Sequence, residues 1–172
     1  MEPIVLTETE GESYAAGALR MRLLAQSPEQ PIAVTESTVP PGFPGPVRHR
    51  HARMTDVFSV LEGELTFDLG GEQRTLGAGS FVLVPPGVAH TFANRGSAPA
   101  RVLNILRPAG LEQCLKDAFK RMADGSPWTP AEMAEVAAGY DFESVPEPDY
   151  NAAQFRPKLH AQEDPPLGRR SR

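Results

Sequence analysis

The chain has 172 residues, 40% of them hydrophobic and 23% charged, and a formal net charge of −5; that is room for one domain with a real core and no basic surplus for a nucleic-acid partner. Its 18 Pro and 15 Gly predict many turns and favour an all-β plan over long helices. The one cysteine, Cys114, excludes an intramolecular disulfide and any metal site built from several thiolates.

Residues 1–11 read as an acidic N-terminal arm. The stretch Met1-Glu2-Pro3-Ile4-Val5-Leu6-Thr7-Glu8 lacks the basic and apolar regions of a secretory signal. No run approaches the roughly 18 apolar residues of a spanning helix, so the expected location is cytoplasmic with no membrane partner. From 12 to 108 the chain reads as a β body. Apolar or alternating runs at 18–24, 32–39, 57–61, 64–69, 81–84, 90–94 and 101–106 are separated by turn sequences such as Pro40-Pro41-Gly42, Gly77-Ala78-Gly79 and Pro85-Pro86-Gly87. The runs flanking Glu62-Gly63 and those flanking Gly70-Gly71 each read as a hairpin, and short strands at this spacing predict a sandwich or barrel.

Residues 109–145 read as a helical extension. Leu111, Cys114, Leu115, Ala118, Phe119 and Met122 follow a three-and-four spacing, which predicts a helix of about three turns packed on the barrel wall. Thr129-Pro130-Ala131-Glu132 combines a capping residue, a proline at the first helical position and a Glu placed to close a capping box, so a second helix should run to about Ala138 and stop at Gly139. Residues 146–172 are Pro-rich, charged and polar and predict a flexible tail. It carries His160 and three terminal arginines, too few for much phosphate affinity.

Of the four histidines, three fall in the β body. His49 and His51 are two apart, so on a strand both side chains leave the same face, and a metal can take two imidazoles from extended chain. Asp56 opens the next apolar strand, and His90 comes from a separate one. Imidazoles with one carboxylate suit a divalent transition ion with positions left open for water, dioxygen or substrate. A single His-x-His is more often structural than ligating; two ordered motifs change that. His49-x-His51-x4-Asp56-x6-Gly63 resembles the first motif of the cupins, and Gly79-x5-Pro85-x-Gly87-x2-His90-x3-Asn94 resembles their second. Between them lie fifteen residues, Glu64 to Ala78, room for one hairpin.

From Tyr14 to Pro108, and again in Ala138-Gly139-Tyr140-Asp141-Phe142, the chain is similar to single-domain bacterial cupins related to quercetin 2,3-dioxygenase. The resemblance implies an all-β cupin barrel (a double-stranded β-helix, or jelly roll) with short C-terminal helices. It implies one divalent transition metal per chain, Fe, Mn, Ni, Co, Cu or Zn, on His49, His51, Asp56 and His90. It also implies a dioxygenase acting on an aromatic or enolic small molecule, with Asp56 as base, and a homodimer joined through barrel edges. A non-oxidative cyclase or isomerase, and a small-ligand-binding cupin without catalysis, are the alternatives. Two positions depart from the pattern. The cupin motif has Glu where this chain has Asp56, one methylene shorter, which leaves direct ligation, a water-mediated role or a three-histidine site; and its leading Gly falls on Phe43. Strand alternation sends Phe58 and Val60 to the side of Asp56, and Phe92 to that of His90, as a substrate pocket or as ordinary core. Gly63, Gly79 and Gly87 are expected in tight turns of positive φ, Pro85 at a bend before His90, and Asn94 as a structural hydrogen-bonding residue.

Overall fold

Alternating apolar and polar side chains dictate most of the strands. The computed structural model describes residues 3–27 and 31–147. In chain order the strands are β1 (Glu12–Ala16), β2 (Leu19–Ser27), β3 (Ile32–Val39), β4 (His49–Arg50), β5 (Thr55–Glu62), β6 (Glu64–Leu69), β7 (Glu72–Gly77), β8 (Phe81–Val84), β9 (His90–Ala93) and β10 (Ala100–Arg107). Helices α1 (Leu111–Ala123) and α2 (Pro130–Ala138) and a short strand, β11 (Glu143–Ser144), follow. The strands pair antiparallel in two sheets, ordered β1-β2-β3-β10-β5-β8 and β11-β4-β9-β6-β7. This is the jelly-roll barrel with short C-terminal helices that the sequence predicts. No helix among the described residues is long and apolar enough to cross a membrane.

Period-two burial shows how the barrel fills. Along β5, Asp56, Phe58 and Val60 are buried while Val57 and Ser59 are less so, and along β6 Leu65 and Phe67 turn inward. Phe58, Val60, Leu65 and Phe67 meet Val39, Val82, Val84, Ala100 and Val102 in one cluster drawn from both sheets, with Phe58 set edge-on to Phe67 at 5.4 Å between centroids. Burial of this apolar surface, at about 25 cal/mol per Å2, is the main force closing the barrel.

Gly70-Gly71 makes the expected hairpin, joining β6 to β7 with Leu69 opposite Glu72; both glycines have positive φ, 66° and 95°, as a tight two-residue turn demands. The expected hairpin at Glu62-Gly63 does not form. There β5 leaves one sheet and β6 enters the other, so the turn is a crossing between layers. Glu-Gly between two alternating runs looks the same in either case; the difference lies in which strands each run pairs with, and β5 pairs with β10 and β8. Gly63 is required at the crossing, since its φ is +69° and a Cβ there would sit 2.6 Å from the Pro99 carbonyl oxygen.

Helix α1 presents its predicted face: Leu111, Cys114, Ala118 and Phe119 are buried. Phe119 joins Leu19 and Met21 of β2, and Leu111 and Cys114 join Ala33, Met54, Leu106, Ala137 and Phe142 in a second cluster. Buried Glu112 accepts from Gln26 Nε2 at 2.7 Å and from the Gly110 amide at 2.6 Å, and Lys116 reaches Gln26 Oε1 and Glu12, which fixes the helix on β2. Helix α2 has the predicted capping box, with Thr129 and Glu132 each accepting the other's backbone amide. The arm of residues 1–11 is held from residue 7 on by Arg22, whose Nη1 donates to the carbonyls of Thr7, Glu8 and Glu10. Of the expected flexible tail, Pro146 and Glu147 belong to the described residues, while residues 148–172, with His160 and the terminal arginines, lie outside them.

Gly79, like Gly63, has positive φ, but a Cβ on Gly79 would meet nothing within 4 Å. Gly79→Ala should therefore lose only the about 1–2 kcal/mol of a left-handed residue, whereas Gly63→Ala should add about 1–3 kcal/mol of overpacking. Equal losses for the two variants in chemical denaturation would show that the layer crossing is not tight.

Candidate metal centre

The centre is assembled across both sheets. His49 lies on β4 directly opposite His90 of β9, and His51 follows β4 with its side chain on the same side as His49, while Arg50 between them faces solvent. Asp56 comes from β5 of the facing sheet. All four are buried, and one donor atom from each lies within 4.8 Å of every other. Asp56 Oδ2 is 3.4 Å from His90 Nε2 and 3.8 Å from His51 Nε2. The shorter side chain, compared with Glu, still brings the carboxylate into the cluster.

The ring orientations follow from local chemistry. His49 Nδ1 lies 2.9 Å from the Val47 carbonyl and His90 Nδ1 3.0 Å from the Val88 carbonyl; each ring thus bonds the residue two before it. His51 Nδ1 bonds the carbonyl of Asp141, ninety positions on. A carbonyl only accepts, so all three Nδ1 atoms carry a hydrogen, and this turns each Nε2 toward the cluster; in a neutral ring that Nε2 is a lone pair a metal can take. Burial, reinforced by the neighbouring His90, pushes the His49 pKa down to about 3, which keeps that ring neutral, as a metal ligand must be. Burial also works to raise the Asp56 pKa, but His51, His90 and Asn104 around it outweigh burial and hold the carboxyl below its ordinary value.

His51 Nε2 is the buried side-chain polar atom that, among the described residues, has no hydrogen-bond partner. A group so placed is costly unless something binds it. Three imidazoles and a carboxylate form a donor set that fits a divalent transition ion, so the cluster can accept one.

Three residues that the sequence reading did not single out complete the surroundings. Asn104 of β10 donates to Asp56 Oδ1 and, at 3.1 Å, to the Val57 carbonyl; its one signal was a polar residue inside the apolar run Val102-Leu103-Asn104-Ile105-Leu106. The carboxylate of Asp141 accepts the amides of Ala52, Arg53 and Met54 at 2.8, 2.9 and 2.9 Å, pinning the link between His51 and Asp56. Phe142 lies flat on His49, with centroids 4.0 Å apart and planes at 11°. The segment is held along β4 by the Arg50–Glu143 ion pair and by the bond from the Val145 amide to the Arg48 carbonyl. Ala52, Ala138 and Glu143 join Asp141 and Phe142 in lining a surface cleft of about 340 Å3 beside the centre.

Phe58 is 6.3 Å from the His90 ring and 5.7 Å from Phe92 by centroids, and Val60 packs with Phe58 in the apolar core, against which Phe92 is set. Asn94, as expected, is structural: its Nδ2 donates to the carbonyls of Val39 and Ala98, each at 2.9 Å, and its Oδ1 accepts from Gly96. Gly79 and Gly87 have the expected positive φ, 86° and 85°.

A family model for the cupin domain matches residues 35–106, the stretch that holds all four clustered residues. Among curated proteins, the HTH-type transcriptional regulator PuuR of Escherichia coli (strain K12) is 24% identical over 106 residues, covering 61% of this chain and 57% of the regulator; the match thus spans little more than half of that protein. Among solved structures, an RmlC-like cupin from Shewanella frigidimarina superposes with a TM-score of 0.55 at 22% identity, covering 66% of this chain and 96% of that one. KdgF from a Halomonas species gives 0.54 at 17% identity, covering 62% and 94%. At these identities the likeness is one of fold.

Asn104→Leu should leave Asp56 Oδ1 buried with no donor and cost about 1–3 kcal/mol of stability. Denaturant titration of the metal-free variant reads this; an unchanged midpoint would mean that the amide does not hold the carboxylate.

Proposed function

We propose that this chain, which carries a cupin domain over residues 35–106, is a metal-dependent enzyme that holds one divalent transition ion on His49, His51, His90 and Asp56 and acts as a dioxygenase on an aromatic or enolic small molecule. The observation that carries the metal reading is the convergence of three buried Nε2 atoms, each with its Nδ1 tied to a backbone carbonyl, on one ionised carboxylate within 4.8 Å. Hydrogen-bonded second nitrogens of this kind are what orient imidazole ligands in metal sites. When bound, the ion supplies Lewis-acid polarisation of a substrate oxygen and, if redox-active, access to dioxygen chemistry.

The chain's own residues have separable tasks in this reading. Asp56 offers the carboxylate of the cluster, and its Oδ2 is the atom to take the proton of a substrate hydroxyl. Asn104 holds the other oxygen, so the carboxylate does not swing. Phe58 and Phe92 present aromatic surface to a flat substrate. Phe142, lying over His49, keeps bulk water from that ligand. The buried, apolar setting strengthens each of these polar contacts.

Elemental analysis of protein purified without a metal-affinity tag should find close to one equivalent of Fe, Mn, Co, Ni or Cu per chain, and His49→Ala should lose most of it. Equal metal in the variant and the wild type would refute the ligand set. Metal-replete protein should consume oxygen with at least one of a panel of flavonols and catechols. No uptake across the panel would remove the dioxygenase, and zinc with anaerobic turnover of a keto substrate would put Lewis-acid isomerisation or cyclisation in its place.

A further inference from the structure

His49 and His90 take their orientation from carbonyls two residues before them in the chain, but His51 takes its orientation from Asp141, ninety residues later. We propose that Asp141 is a positioning residue of the metal centre: it fixes the His51 imidazole, and through it the third Nε2, by holding both ends of one small frame. Its carbonyl accepts the Nδ1 hydrogen of His51, and its carboxylate accepts the amides of Ala52, Arg53 and Met54, the three residues after that histidine. Ring and backbone are thus referred to the same residue.

The geometry accounts for the residue type. Asp141 is the one non-glycine residue with positive φ, 61°, among the described residues. Asp is among the few side chains that adopt this conformation, because its short oxygen-bearing group can bond nearby backbone. Glycine would adopt the backbone without the carboxylate, and a longer side chain would carry its oxygens away from the three amides. His51 Nδ1 bonds Asp141 in place of a carbonyl two residues back, and among the described residues its Nε2 has no hydrogen-bond partner. Without the carboxylate the carbonyl of residue 141 is no longer held against His51, and a ring that has lost this acceptor can take the other tautomer, which would aim an N–H at the cluster.

The role rests on the metal reading above, so the test has one arm that needs no metal. In metal-free protein at alkaline pH, where the rings are neutral, long-range 1H–15N NMR should find wild-type His51 as the Nδ1–H tautomer. Asp141→Ala should give mixed tautomers. In the metal arm, Asp141→Ala should weaken cobalt(II) binding about 10- to 100-fold and change the visible spectrum of the loaded protein. Asp141→Asn, which keeps one acceptor oxygen and tolerates positive φ, should lose less, and Glu143→Gln, which loosens the same segment through the exposed Arg50 pair, should match wild type in both arms.

Wild-type tautomer and affinity in Asp141→Ala would overturn the proposal, as would an equal loss in Glu143→Gln, which would make the effect one of general loosening. Should Asp141→Ala fail to fold, Asp141→Asn against Glu143→Gln decides on the same readouts. Wild-type protein that takes up no cobalt would overturn the metal reading, while the tautomer arm would still decide whether Asp141 orients His51.

Discussion

Each imidazole of the cluster has two nitrogens to satisfy, and with His49, His51 and His90 at no more than 5% exposure there is no bulk water for either. The surrounding structure is organised by that demand. Backbone carbonyls of Val47, Val88 and Asp141 take the Nδ1 hydrogens. The Nε2 atoms are left facing Asp56 at 3.4 and 3.8 Å, long for hydrogen bonds but close enough to share one ion. An unsatisfied buried polar group costs about 1–3 kcal/mol, a large part of the about 5–15 kcal/mol by which a domain is stable. A barrel that needed only to fold would do better with apolar side chains here, so the cluster makes physical sense as a site that takes a ligand.

The two sheets divide the work. All three imidazoles stand on or beside strands of the five-stranded sheet, and the carboxylate stands on the six-stranded one. Antiparallel pairing puts His49 opposite His90, and both rings use the same bond two residues back. Beneath them, Phe58, Phe67 and Phe92 stack edge-on or tilted at 5.4 to 6.0 Å, a dry floor on which the four polar groups cannot relax inward. An ion on this set would also tie one sheet to the other.

Much of this was legible in the sequence because the determinants are local. Period-two alternation placed Asp56, Phe58 and Val60 on one side, the two-residue step placed His49 with His51, and Thr129 with Glu132 announced the start of α2. Gly63 was misread because a layer crossing and a hairpin share the same turn residues, and only the pairing of distant strands separates them. Asn104 left a faint trace, one amide in an apolar strand. Asp141 and Phe142 stood out only within a segment similar to other cupins, with no role attached: their contacts run over about ninety residues, and nothing in a Tyr-Asp-Phe sequence specifies a histidine as its neighbour.

That distance has a consequence for how the centre forms. Apart from β11, both sheets and the aromatic floor come from residues before 108, and the cluster there supplies its own orientation for two rings of three. The third ring, the amides after it and the aromatic cover on His49 wait for residues 141 and 142, which come after both helices. The left-handed backbone at Asp141 costs about 1–2 kcal/mol, offset by the three amides its carboxylate receives. The barrel can therefore close around its core before the centre is complete, and a segment that follows both helices sets the geometry of a ligand laid down ninety residues earlier.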